Sequence, residues 1–404
     1  MRTLHRVVSL FVALFTLYLG VTGTLIQLID LHTLYGRAPA TDPDMRAIRE
    51  GFDGPDGFAV ITPADYTASA LPAGFDYGAA LRRLLAAAQP RLGGQPLTYA
   101  EIRMVGLEPT GLIESGRQLL QLDFATGGSQ LTPAPKPVPT VVPSLRNTIK
   151  HFHRMTFEVA DTAGSPLGIW PLWISPLVGL ALVLFVITGL VMYFRMLSAR
   201  RRIGKRDWFW SAGGWWRTLH RWLSVCAAAF ILVVALSGEF LAIDSLYLAL
   251  SLSRGPPPAH TLPPSPVAVA ELPSMLQTTL AAFHAAGANL PLKVVRLRTY
   301  GGMPQGVLIA GQGDDTRQMV FDAVSGRKAG QSEPGYPSTG FMLGWEAHQI
   351  GKAIHRGSII GMPGRWMDLL AGLSIVFLSV SGGVMYLQLW NRRRRAGRPG
   401  LVWT

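Results

Sequence analysis

Four histidines carry the chemistry open to this chain, because each recurs in a matched setting. Arg2-Thr3-Leu4-His5-Arg6 returns as Arg217-Thr218-Leu219-His220-Arg221, and Lys150-His151-Phe152-His153-Arg154 returns as Lys352-Ala353-Ile354-His355-Arg356 in the pattern K-x-x-H-R. Neutral imidazole is a natural axial ligand for haem iron, and two imidazoles from different helices leave the iron six-coordinate and suited to electron transfer. The repeat pairs His5 with His220 at one level and His153 with His355 at another, one b-type haem at each. Attachment would be non-covalent, since the single cysteine, Cys226, excludes a C-x-x-C-H site. Arg6, Arg221, Arg154 and Arg356 directly follow the four histidines and are candidates to pair with haem propionates by charge-assisted hydrogen bonds. His348, His151 and His32 are alternates for the outer pair, whereas His260 and His284 lack a repeat partner and read as solvated. A single His-Arg beside an apolar run is usually an interfacial anchor. An anchor needs no counterpart at the matched position of a second half, so the duplication favours ligation.

The elements that position these residues follow from the same repeat. Each copy of the first motif leads into an apolar run that continues through Ser9 or Ser224 to Thr22-Gly23 or Ser237-Gly238, 215 residues apart. Each copy of the second leads through Gly168-Ile169-Trp170 or Gly364-Arg365-Trp366 to Gly179 or Gly372, then to Thr188-Gly189 or Ser381-Gly382. Four apolar stretches, 7–29, 172–194, 223–243 and 367–390, reach or approach the roughly 20 residues that cross a bilayer. With 49% hydrophobic and 15% charged residues over 404 positions, the chain is too apolar for an ordinary soluble protein. The net charge of +13 flanks the spans on one side, in Arg2, Arg6, Arg195, 200–202, Lys205, Arg206, Arg217, Arg221 and 392–395. That is the positive-inside pattern rather than a nucleic-acid footprint, and it places both termini and the 196–221 loop in the cytoplasm. The first span is not a cleaved signal peptide, since its repeat partner lies mid-chain.

The expected fold is an α-helical membrane protein with four transmembrane helices, an internal two-fold repeat and two small α+β outer domains. Its segments are helix 1 (1–30), outer domain 1 (31–171), helix 2 (172–195), a cytoplasmic loop (196–221), helix 3 (222–244), outer domain 2 (245–366), helix 4 (367–390) and a cytoplasmic tail (391–404). The first outer segment predicts a helix over 77–89 and strands over 98–105 and 117–124; the second predicts a helix over 267–285 and strands near 293–299, 306–310 and 317–321. Matching turns, Asp123 to Gly127 and Asp322 to Gly326, extend the duplication, and 133–143 reads as a proline-rich connector. In the spans, His5, Ser9, Val12, Thr16, Gly20 and Gly23 share one face, as do His220, Ser224, Ala227, Ile231, Ala235 and Gly238. Such stripes of small residues suit helix packing in lipid. Gly179 and Gly189, like Gly372 and Gly382, leave room for a helix or a flat cofactor. Trp208, Trp210, Trp215, Trp216 and Trp222 read as an aromatic belt, and Glu239 and Asp244 as proton carriers or interfacial carboxylates. Gly301-Gly302 lacks the strand-to-helix setting of a nucleotide site. A helix from His5 to Asp30 would measure on the order of 37 Å, so haems at its extreme ends lie too far apart for one fast electron step and must sit deeper, or another group must intervene.

These residues resemble the PepSY-associated transmembrane proteins of bacterial inner membranes, which include iron-regulated membrane proteins and ferrisiderophore reductases. The resemblance rests on His5-Arg6-Val7 and His220-Arg221-Trp222, on Phe152-His153 and Ile354-His355, and on the T-G or S-G steps, and so covers both halves. It implies two periplasmic PepSY-like domains on a four-helix bundle, two haems bound by histidines, and reduction of periplasmic ferric siderophore complexes to release ferrous iron, with electrons from a quinol or a cytoplasmic reductase. Val7 stands where Trp is frequent and Phe152 and Ile354 where Leu is common, and no fused flavin domain of the kind some relatives carry is read here. Two other functions fit such a sequence: a non-catalytic PepSY membrane protein that binds a periplasmic partner or restrains a protease, and a quinol-linked b-type cytochrome with another acceptor. Among outer basic residues, Arg296, Arg298 and Arg317 either attract an anionic ferric chelate or merely solvate their strands.

Overall fold

The computed structural model describes residues 2–39, 42–53, 58–93, 95–134, 144–155, 170–253, 266–330, 340–398 and 400. Residues 135–143 of the connector, the Gly168-Ile169 step and His260 lie outside these. The helices are α1 (Arg2–Tyr35), α2 (Pro43–Asp53), α3 (Pro63–Thr67), α4 (Tyr77–Leu92), α5 (Leu145–His153), α6 (Trp170–Arg202), α7 (Trp215–Cys226), α8 (Ala228–Ser253), α9 (Leu272–Ala285), α10 (Gly344–His355) and α11 (Gly361–Arg395). The strands are β1 (Tyr99–Val105), β2 (Glu108–Ser115), β3 (Gln118–Asp123), β4 (Ser129–Pro133), β5 (Leu292–Tyr300), β6 (Met303–Ala310) and β7 (Arg317–Asp322).

Among the described residues four helices are long and apolar enough to cross a membrane: Phe11–Tyr35, Trp170–Arg202, Ala228–Ser251 and Ser358–Arg395. Their outward faces expose Leu14, Leu177, Leu180, Leu236 and Leu370, side chains that suit lipid and not water. The third span differs from the continuous helix expected over 222–244. It bends at Ala227, which separates α7 from α8 while its N–H still reaches Leu223 O at 2.9 Å. His220 therefore sits on the short amphipathic helix α7.

The bundle pairs its elements reciprocally. Helix α1 packs along α11 and α8 along α6, while α5 lies against α1 and α10 against α8. Missing side chains permit these approaches: a Cβ on Gly372 would come within 2.6 Å of Thr24 Oγ1, and one on Gly179 would collide with Glu239 Oε2. The room beside Gly179 and Gly372 is thus occupied at least in part by helix side chains.

Outside the bundle, the two segments expected as separate domains share one antiparallel sheet of order β4-β3-β2-β1-β5-β6-β7. The seam between the halves is β1 on β5, with Ile102 opposite Val295. One face of this sheet buries a common core beneath α4 and α9, including Leu84, Ile113, Leu120, Leu272, Phe283 and Leu308. Gly111 and Gly306 sit at equivalent places under those helices, where a Cβ would strike Leu84 and Thr279 respectively. Strands β2 and β4 escape the sequence pattern because Pro109, Gly111 and Pro133 read there as punctuation. The paired turns match in detail: Asp123 Oδ1 accepts from the N–H of Ala125 and Thr126, and Asp322 Oδ1 from those of Val324 and Ser325.

Candidate functional site

The four repeat-matched histidines and the four Thr-Gly or Ser-Gly steps find each other across helices. His5 Nδ1 bonds Thr188 Oγ1 at 2.8 Å, and His220 Nδ1 bonds Ser381 Oγ at 2.7 Å. His153 Nδ1 bonds Thr22 Oγ1 at 2.8 Å, and His355 Nδ1 lies 3.3 Å from Ser237 Oγ and 3.0 Å from Val234 O. Every one of these hydroxyls already donates its proton to its own helix, to Leu184 O, Leu378 O, Tyr18 O and Val233 O. A hydroxyl that has donated can only accept. Each histidine must then carry its proton on Nδ1, which assigns the lone pair to Nε2, the arrangement of a metal-binding imidazole oriented by a neighbour. For His355 the Val234 carbonyl demands the same tautomer. The expectation had been that these small and hydroxyl residues serve helix packing; the histidine bonds were not anticipated. The signal was available in the matching number of histidines and hydroxyl-Gly steps, four of each.

At the outer level, α5 is started by Ser144, whose Oγ accepts from Asn147 N–H, and ends on His153. Its counterpart α10 ends on His355. The two rings lie 6.3 Å apart between centroids at an interplanar angle of 40°. Burial, and then the charges of His355 and Arg154, hold His153 at about 3, and burial likewise lowers His355. Both are neutral at ordinary pH. Gly23 and Gly238 press against these rings: a Cβ there would lie 3.2 Å from His153 Cε1 and 2.9 Å from His355 Cε1. The pair opens on a cavity of about 280 Å³, near the lower end for small-molecule sites, whose walls include Gly20, Gly23, Gly179, Gly238 and Gly372. Lys150, Arg154, Lys352 and Arg356 line it too. Arg154 also donates to Ser245 Oγ at 3.3 Å.

Of the alternates, His348 lines this cavity, with Nδ1 bonded to Asp244 Oδ2 at 2.7 Å, while His32 is exposed on the last turn of α1 and His151 is partly buried outside the cavity lining. His284 is exposed, as a solvated histidine should be. The outer level coincides with Thr22-Gly23, not with Asp30, so the ring levels are separated along α1 by the rise from His5 to Thr22, about 25 Å.

At the inner level His5 and His220 lie within electrostatic reach of each other, and His5 meets Phe185 edge-on at 5.4 Å. Arg221 does not turn to that pair: its Nη2 donates to Trp210 O at 2.8 Å and its guanidinium covers the Trp210 ring. Arg6 is partly buried next to His5 in the chain. Trp210 itself is buried, stacked on Tyr193 and flanked by Arg200, so this member of the tryptophan cluster is an internal pillar of the loop rather than a belt residue. In the sheet region Arg296 bonds Glu101, and Arg298 bonds Phe58 O and Gln305. Both are consumed internally, and only Arg317 of the three outer arginines is exposed. Glu239 is half-buried in the bundle, with its Oε2 atom buried and lacking a partner among the described residues.

A family model described as the PepSY-associated TM region matches residues 2–388, nearly the whole chain. No curated protein matches it.

Proposed function

The chain belongs to the PepSY-associated TM region family, and on that footing we propose that it is a dihaem electron-transfer protein of the bacterial inner membrane that reduces periplasmic ferric siderophore complexes. The observation that carries this reading is the set of four imidazoles, each with Nδ1 spent on a hydroxyl of another helix. Two imidazoles sharing one iron, with metal–nitrogen bonds of about 2 Å, place their ring centres roughly 6 Å apart, and the outer pair stands at 6.3 Å. Two facing imidazoles are a donor pair that would suit a haem iron. Haem bound there supplies a one-electron couple.

The chain's own residues do the rest. Thr188, Ser381, Thr22 and Ser237 fix the tautomer and the ring planes; Gly23 and Gly238 let the backbone approach the outer rings; Arg154, Arg356, Lys150 and Lys352 neutralise an anionic edge. Electrons would enter from a quinol or a cytoplasmic reductase and leave to the ferric chelate, whose hold on iron weakens on reduction.

Purified protein is expected to carry two b-type haems with a low-spin bis-imidazole spectrum, and His153→Ala or His5→Ala to retain one. Thr22→Val, which removes only the Nδ1 acceptor, should weaken haem retention about 10- to 100-fold in an apomyoglobin transfer assay. Reduced protein should be reoxidised by ferric siderophore in stopped flow. Protein purified after haem-supplemented expression that shows no Soret band overturns the proposal.

A further inference from the structure

Seven residues before His355 on α10, on the same face, His348 forms a second polar centre in the outer cavity. Asp244 Oδ2 takes its Nδ1, and Asp244 Oδ1 takes the N–H of Met342 at 2.9 Å, so the carboxylate is pinned by both oxygens. Burial outweighs the Asp244 charge, and with Lys352 and Arg154 nearby it lowers the His348 imidazole below its ordinary value. A neutral ring that donates from Nδ1 presents Nε2 as a pure acceptor. Beside it, the Trp345 ring centre lies 6.5 Å from that of His348, and its buried Nε1–H has no acceptor among the described residues. Phe341 stacks on His348 at 3.9 Å and, with Trp345, gives the same cavity an aromatic wall.

One acceptor and one unspent donor beside an aromatic wall select a particular ligand chemistry. A carboxylate or phosphate has no proton for Nε2 and would set lone pair against lone pair. An ether or ketone satisfies Trp345 alone. A hydroxyl satisfies both, giving its proton to His348 and accepting from Trp345, and an aromatic ring bearing that hydroxyl fits the wall. We infer that the outer end of this cavity binds a phenolic ring, positioned by His348 and Trp345 and oriented by Asp244. Such a ring reaches the site either as a hydroquinone from the bilayer or as a catechol group from the aqueous side. The site lies about 10 Å along α10 from His355, and binding there does not depend on the haem proposal.

Isothermal titration calorimetry on the full chain in detergent tests this with two phenols, 4-heptylphenol as the lipid-soluble probe and 4-nitrocatechol as the aqueous one. The methyl ether 4-heptylanisole is the control that cannot donate. Saturable binding of at least one phenol is expected, about tenfold or more tighter than the ether, and weakened about tenfold by His348→Gln and severalfold by Trp345→Phe. Binding of 4-heptylphenol alone assigns the bilayer as the source, and binding of 4-nitrocatechol alone the aqueous side. Absence of saturable binding by either phenol overturns the inference, as does equal affinity for the ether on the unaltered protein, a result that no folding defect can imitate. Unchanged phenol affinity in a folded His348→Gln protein does the same. Haem content, read from the same samples, reports separately on the proposed function.

Discussion

At the outer end of the bundle the two halves solve one problem in different ways. In the first, buried Asp30 is held by Arg146 of α5 and by Arg365 of α11, the latter at 3.1 Å. In the second, buried Asp244 is held by His348 of α10 and the Met342 N–H. Arg146 stands seven residues before His153 and His348 seven before His355, so the two positions are equivalent. A guanidinium is permanently charged and spends its fork on the carboxylate, which makes the first half a clamp across α1, α5 and α11. An imidazole can be neutral and keeps a second nitrogen, which leaves the second half with something to offer a ligand. Duplication built a common frame, and one exchange at matched positions separates a structural pair from a chemical one.

Breaking the clamp should have the largest effect on stability. Arg146→Met strands a buried carboxylate against a single remaining arginine and is expected to cost about 3–5 kcal/mol, read as a lowered unfolding midpoint in detergent. His348→Gln removes a hydrogen bond from an uncharged ring to the Asp244 carboxylate and should cost less, about 1.5–3 kcal/mol. Equal losses would erase the distinction between the halves.

Much of this frame could be read from residue order alone. The four spans and the pairing of His5 with His220 and of His153 with His355 follow from repeats in one dimension, whereas His348 stands among the alternates only by its place near the outer surface. The β1–β5 seam does not, because Ile102 and Val295 carry no mark of their partnership beyond being apolar strand residues. Nor do the Nδ1 bonds. Thr22-Gly23 and Ser381-Gly382 look like packing steps until the topology sets each beside a ring from another helix. The bend at Ala227 has no proline or glycine to announce it, and Arg221, read as a propionate partner, is drawn off by the Trp210 carbonyl that only the folded loop presents.

A middle-sized effect separates the halves through acid. His348, lowered by burial, stays unprotonated in the folded chain while the unfolded chain takes up a proton near 6.5. Stability is therefore complete above that value and lost as pH falls from about 6.5 toward the lowered one, by at most about 1.4 kcal/mol per pH unit for each such imidazole. The charged groups facing it are Asp244, Lys352 and Arg154, and the matched position in the other half holds the guanidinium of Arg146. His348→Arg should accordingly flatten the acid limb by one imidazole's share, while leaving that of His153, held at about 3, in place. Unfolding free energies of both proteins between pH 7 and 5 would show it, and parallel slopes would refute it.

The smallest effect distinguishes the outer level from the inner. A Cβ at Gly238 would sit 2.9 Å from the His355 ring and one at Gly23 3.2 Å from that of His153, whereas at Gly382 the His220 ring is 3.8 Å away and at Gly189 nothing lies within 4 Å. Gly238→Ala must displace His355 or bend α8, and should disturb the outer site while sparing the inner. Gly189→Ala meets no neighbour, and since alanine is the better helix former it should stabilise α6 by up to about 1 kcal/mol. Haem content and melting midpoint for the two variants give the comparison. A Gly189→Ala protein as damaged as Gly238→Ala would mean that the space beside Gly189 is filled in the working protein, and that the inner site holds its ligand against bare backbone just as closely as the outer one does.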